Sequence, residues 1–195
     1  MDEPGLRYIL LDCNGVISRR HSNSHAKGCD KFEFLPRALE ALRLLAVNHY
    51  AGIVISRQTC SCDGMQTSRE LDAITRRFLL EVAISEGYIA QVYYCRHRKE
   101  DGCNCYKPNV GLIARAKADH GFLIEETHFI SEKESDLEAA AAMGCPCIRI
   151  QRDAFLQTQT QGEEPCTVAS NLYDAAEQIL ALDRVREREY AMLQL

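Results

Sequence analysis

Five short apolar runs alternate along this chain with segments of helical periodicity, and that alternation limits its fold more than any other feature. The runs are Tyr8–Leu11, Ile53–Ser56, Val92–Cys95, His128–Ser131 and Cys147–Ile150. Between the first two, Pro36 stands where a first-turn proline belongs, and Leu39, Leu42, Leu45 and Ala46 share one face. Thr67 and Glu70 have capping-box spacing ahead of Leu71, Ile74, Phe78 and Val82, and this pattern stops near Gly87. A third helix is expected from about Asn109 to His120, ending at Gly121. Ser135 and Glu138 form a second capping-box pair, opening a helix over Leu137–Met143 that ends at Gly144. Asn171–Leu195 reads as an extra C-terminal helix whose far part, Asp183–Glu189, is almost all charged. Short strands separated by helices predict an α/β fold, a doubly wound parallel sheet with helices on both faces.

The chain's 195 residues suit one domain spanning 1–195, with no internal repeat and no low-complexity linker. Thr158–Glu164 reads as a polar surface loop. Net charge is −5 and no long basic run occurs, which argues against nucleic acid or an anionic membrane as partner. No apolar stretch approaches the ~18–20 residues that cross a bilayer. Met1-Asp2-Glu3-Pro4 lacks the pattern of a secretion signal, so a cytoplasmic protein is expected. Oligomeric state is left open.

Ten cysteines are many for this length, and without a secretion signal metal ligation or catalysis explains them better than a disulfide framework. Cys95, His97, Cys103 and Cys105 lie within residues 95–105 and supply three thiolates and one imidazole, a full tetrahedral zinc shell. A closed shell of this kind is structural. It would pin a short loop that has no apolar residue of its own, with Arg96, Arg98 and Lys99 balancing the thiolate charge. Cys60 and Cys62 read as small loop residues, Cys13 as a small side chain in a turn, and Cys145 and Cys147 as partly buried apolar residues. His21 and His25 fall in a polar insert, Ser18–Asp30, read as a loop.

Asp12 ends the first apolar run, which places a carboxylate at the carboxyl edge of the sheet, where open α/β folds carry their chemistry. Four segments converge there on a phosphoryl-transfer reading. Asp12 would be the nucleophile that becomes an aspartyl-phosphate. Ser56, ending the second run, would donate to phosphoryl oxygens, and Lys107, just after the zinc loop, would offset their charge. Glu132 and Asp136, after the fourth run, would hold Mg²⁺ through carboxylate oxygens.

The ordered segments LDCNGVI, FEFLPRALEALRLL, VISRQ, the cysteine–histidine loop with Cys105-Tyr106-Lys107-Pro108, and ISEKESDLEAA resemble one branch of the haloacid dehalogenase (HAD) superfamily. That branch is the zinc-containing D-glycero-D-manno-heptose 1,7-bisphosphate phosphatase and histidinol-phosphate phosphatase family. The resemblance covers about Arg7 to Ile150. It implies a HAD-like fold without a large cap domain, a catalytic Mg²⁺, a structural Zn²⁺ and a small phosphorylated metabolite as substrate, such as a sugar phosphate. By position it makes Asp12 nucleophile and Mg²⁺ ligand, Asn14 a second Mg²⁺ ligand through its backbone carbonyl, and Ser56 and Lys107 the phosphoryl-binding pair. Glu132 falls at the Mg²⁺-binding aspartate and Asp136 at a second acidic position. Arg57, Gln58 and Tyr106 fall where substrate is read.

This chain departs from the family pattern at several of those positions. Asn14 stands where the general acid/base aspartate belongs, and its loss costs ~10²–10⁴-fold in rate. Glu132 occupies an aspartate position, Arg57 an asparagine position, and Tyr106 a position often filled by arginine. The resemblance therefore implies a phosphomonoesterase of weakened or altered activity. The alternative is a catalytically impaired relative that binds a phospho-sugar or acts as a regulator.

Overall fold

The computed structural model describes residues 5–19, 32–57, 68–152 and 166–193. Gln58, Cys60, Cys62, Thr67, His21, His25 and the Thr158–Glu164 loop lie outside them. The strands are β1 Arg7–Leu11, β2 Tyr50–Arg57, β3 Ile89–Cys95, β4 Phe129–Ser131, β5 Cys147–Ile150 and β6 Cys166–Ala169. The helices are α1 Ala38–Val47, α2 Ser68–Ile84, α3 Gly111–His120, α4 Glu134–Ala142 and α5 Leu172–Leu193.

All strand pairs are parallel, in the order β3-β2-β1-β4-β5-β6. Successive residues of a strand point to opposite faces, so one buried strand serves two cores. Ile9 and Leu11 join Leu42 and Leu45 of α1, Phe78 and Val82 of α2, and Ile179 of α5 on one face. Leu10, between them, joins Ile113 of α3 and Leu137 of α4 on the other. Burial on both faces is why these strands read as continuous apolar runs.

The strand order reverses between β1 and β4, and the crevice beyond their carboxyl ends is the position that such a sheet offers a ligand. Asp12 leaves β1 at this point and Glu132 leaves β4. Asp12 N donates to Ile130 O at 3.0 Å, which fixes the first carboxylate beside the second strand's end.

Four expectations differ from the structure. Pro36 precedes α1 rather than lying in its first turn: Arg37, in left-handed conformation (φ 61°), intervenes before Ala38. α4 begins at Glu134, so Ser135 lies inside the helix and does not cap it. The sheet gains a sixth strand, β6 Cys166–Ala169, in which only Ala169 is buried. Cys147 faces Cys166 in register across the β5–β6 pair, with Cα atoms 4.7 Å apart, and the two form a disulfide rather than leaving Cys147 a free apolar residue. Cys145 does remain a buried thiol, donating to Thr127 O at 2.7 Å, and burial pushes it up to about 12.

The charged C-terminal helix is tied down through Asp183, which accepts from Tyr50 Oη at 2.8 Å and pairs with Arg7 at 3.0 Å. Among the described residues, no helix is long and apolar enough to cross a membrane.

Candidate active site

Asp12 is fully buried, and two lysines reach it from different segments. Lys107 Nζ lies 3.5 Å from Oδ1 and Lys133 Nζ 2.5 Å from Oδ2. Lys107 is itself buried, at 2% exposure, and its ammonium also donates to Ile55 O and Asp136 Oδ2, both at 2.8 Å. A buried ammonium is stable only when paired and fully hydrogen-bonded, and these partners supply that. Asp136 Oδ2 accepts in addition from Ser131 Oγ at 2.8 Å. Asp136, in the first turn of α4, thus holds both Lys107 and Ser131 through Oδ2.

Ser56 ends the apolar stretch of β2 level with this cluster. Leu11 pairs with Val54, so Asp12 and Ser56 both lie just beyond the last β1–β2 pair, at the carboxyl ends of adjacent strands. The Ser56 hydroxyl is fully buried and has no hydrogen-bond partner among the described residues. A buried hydroxyl without a partner costs ~1–3 kcal/mol, a cost that an acceptor bound at this sheet edge would relieve.

Asn14 is half-buried in the turn after β1. Gly15 N donates to Ser18 O at 2.8 Å, and Ile17 N and Ser18 N both donate to Cys13 O at 3.0 Å. Gly15 has φ +91°, and a Cβ there would lie 2.1 Å from the Glu132 Cδ. Only glycine lets the turn adopt this backbone and leaves room for the carboxylate. Glu132 also pairs with Arg152 Nη1 at 3.3 Å, and Arg152 Nη2 donates to Gly15 O. The Cys13 thiol, next to Asp12, is pushed up to about 11 by burial, so it remains protonated and does not compete as nucleophile.

The named ionic groups here are Asp12, Glu132 and Asp136 against Lys107, Lys133 and Arg152. Three charges of each sign leave these six groups formally neutral, and Arg57 at the rim adds one positive charge. Asp12, the Asn14 carbonyl and Glu132 are hard oxygen donors at the switch point, a set that suits Mg²⁺.

Cys95 ends β3 level with Arg57, and the cysteine–histidine loop follows. Cys105 Sγ lies 3.3 Å from both Cys95 and Cys103 Sγ and 3.1 Å from His97 Nδ1, and all four ligand atoms lie within 4.8 Å of one another. Zn–S bonds of ~2.3 Å in a tetrahedron set S···S distances near ~3.8 Å, so the set fits zinc. Burial first, and then the neighbouring thiols, push Cys105 up to about 12, a cost that a bound dication relieves. The loop is seated on α3: Gly111 N donates to Asn104 O at 2.9 Å, and a Cβ on Gly111 would meet that oxygen at 2.4 Å. Lys107 follows directly, so the loop aims it. Arg57 lies with its Cζ 4.8 Å over the Tyr106 ring, which puts the two substituted positions in contact at the rim.

The structure thus gathers Asp12, Asn14, Ser56, Lys107, Glu132 and Asp136 at one edge, with Arg57 and Tyr106 beside it. Gln58 lies outside the described residues. Sequence reasoning missed Lys133 and Arg152. Lys133 was visible next to Glu132, but a lone lysine there reads as a solvated charge. Arg152 gave no signal, because it follows β5 in a polar stretch.

A HAD-hydrolase-like family model matches residues 104–175. A D-glycero-beta-D-manno-heptose-1,7-bisphosphate 7-phosphatase of Pseudomonas putida is 27% identical over 164 residues, covering 84% of this chain and 93% of that protein. One of the same name from Helicobacter pylori is 30% identical over 133 residues, covering 67% of this chain and 75% of its own length. The crystal structure of the Bordetella bronchiseptica D,D-heptose 1,7-bisphosphate phosphatase, complexed with magnesium and phosphate, superposes with a TM-score of 0.80 at 26% identity. It covers 90% of this chain and 99% of that one. With the strand order, the switch-point aspartate and these relatives in agreement, the chain belongs to the HAD-like hydrolases, in the D-glycero-beta-D-manno-heptose-1,7-bisphosphate 7-phosphatase family.

Proposed function

We propose that this protein is a Mg²⁺-dependent phosphatase of a phosphorylated sugar or a similar small metabolite, acting through an aspartyl-phosphate on Asp12. The observation that carries the reading is the buried Ser56 hydroxyl without a partner, at the same sheet edge as a buried aspartate paired to two lysines. The relatives named for a sugar bisphosphate support the substrate class. Arg57 and Tyr106 stand where the family carries other residues, which argues for a substrate other than the heptose.

In this reading Ser56 Oγ donates to a phosphoryl oxygen, and Lys107, held by Asp136 and Ile55 O, neutralises charge on Asp12 and the transferring group. An Asp12 oxygen attacks phosphorus as the ester P–O bond breaks. Water then attacks the acyl-phosphate, its proton passing to the departing phosphate or to solvent because Asn14 cannot take it, and the P–O bond to Asp12 breaks, restoring the carboxylate and releasing inorganic phosphate. Asn14 has no proton to give the departing alkoxide, so leaving groups that need none, such as anomeric, acyl or enol oxygens, are favoured. Mg²⁺, held by Asp12, the Asn14 carbonyl and Glu132, would supply charge stabilisation to the phosphoryl oxygens. Asp136 serves by holding Lys107. Cys95, His97, Cys103 and Cys105 would hold Zn²⁺, which would fix the loop that precedes Lys107.

Phosphate release should appear on a panel of sugar phosphates with Mg²⁺, vanish with EDTA and return with added Mg²⁺. Release that ignores the chelator would overturn the metal assignment. For the zinc loop, Cys105→Ser is expected to leave less than one zinc per chain by metal analysis. It should also cost several kcal/mol of stability in a melt, since structural zinc contributes folding energy outright. Equal zinc content in variant and wild type would remove Cys105 from the shell.

A second reading, a phospho-sugar-binding or regulatory relative without turnover, is favoured by Asn14 and Glu132.

A further inference from the structure

We infer that Arg152 is the positioning residue that lets a glutamate serve at the metal-facing position 132, by folding its carboxylate over the turn that follows Asp12. The inference rests on the proposed role of Glu132 as a Mg²⁺ ligand. Glutamate differs from aspartate by one methylene and one more rotatable bond, so its carboxylate reaches farther and is less fixed. At the end of β4 something has to fold it back. Arg152 Nη1 lies 3.3 Å from Glu132 Oε2, and its Nη2 donates to Gly15 O. One planar guanidinium therefore joins the carboxylate to the backbone of the nucleophile turn, a fork that a lysine cannot reproduce. The carboxylate then seats against Gly15, where a Cβ would lie 2.1 Å from Cδ.

The arginine's own base is fixed as well. Gln151 N donates to Ala169 O at 2.9 Å, which carries the β5–β6 pairing one residue past the end of β5 and up to Arg152. Arg152 is 46% exposed at its side chain and Glu132 only 19%, so the guanidinium reaches inward from the rim. Neighbours that orient a ligating carboxylate set metal affinity, and their loss costs ~10–100-fold.

The test is direct Mn²⁺ binding, read by the electron paramagnetic resonance of the free ion, on the full chain. Arg152→Gln should weaken Mn²⁺ by ~10–100-fold. The same change in a Glu132→Asp background should shift affinity by no more than ~2-fold, because the shorter ligand needs no fold-back. Arg152→Lys should recover only part of the loss, and metal-free melting temperatures should match wild type. Unchanged or tighter binding in Arg152→Gln would overturn the inference, tighter binding marking Arg152 as a competing cation. Equal weakening in both backgrounds would also overturn it, as a general field effect. Wild type that binds no Mn²⁺ at millimolar concentration would instead remove the Mg²⁺ reading of Glu132 itself.

Discussion

Replacing Asp12 with Asn is expected to bring phosphate release down by about 10⁴-fold or more, to the level of a blank, on every substrate that wild type hydrolyses. The carboxylate is fully buried and flanked by Lys107 and Lys133, so the variant also leaves two ammonium groups facing an amide. An Asp12→Asn protein should still bind phosphate through Ser56 and Lys107. Thermal shift with inorganic phosphate checks that separately from turnover. A variant that keeps a substantial fraction of the wild-type rate would mean the nucleophile is elsewhere.

Asn14→Asp is the reverse experiment, and its expected result is a gain. Supplying the missing acid should raise kcat by ~10²–10⁴-fold on alkyl phosphates, whose departing oxygen needs a proton. On an acyl or anomeric phosphate the first step should gain little, so any rise there reports the water attack on the acyl-phosphate, which the same aspartate would assist as base. If wild type stays at background on every substrate while Asn14→Asp turns over, the natural protein is the binding relative. If Asn14→Asp gains nothing even on alkyl phosphates, the account of Asn14 as a lost acid is wrong.

Much of this site was legible because its residues sit at ends of strands that announce themselves. Asp12 and Ser56 close apolar runs, and a parallel sheet brings such ends to one edge. The cysteine–histidine spacing was legible because its ligands lie close in the chain and need no fold to meet. What escaped were contacts made across the fold. Arg152 meets Glu132 and Gly15 only because β5 lies beside β4, and no local pattern encodes that. Asp136 was read as a metal ligand by position, whereas its partners, Lys107 and Ser131, come into view only in three dimensions. β6 and the Cys147–Cys166 bond escaped together: only one residue of the strand is buried, and its cysteine finds a partner only through strand register.

That bond has a topological consequence. Cys147 and Cys166 are 19 residues apart and close a covalent ring around everything between them. The chain after Cys166, including all of α5, is therefore held to the sheet twice, once through the backbone and once through sulfur. A backbone cut inside the ring divides the polypeptide but not the molecule, and the two pieces part only when the sulfurs are reduced.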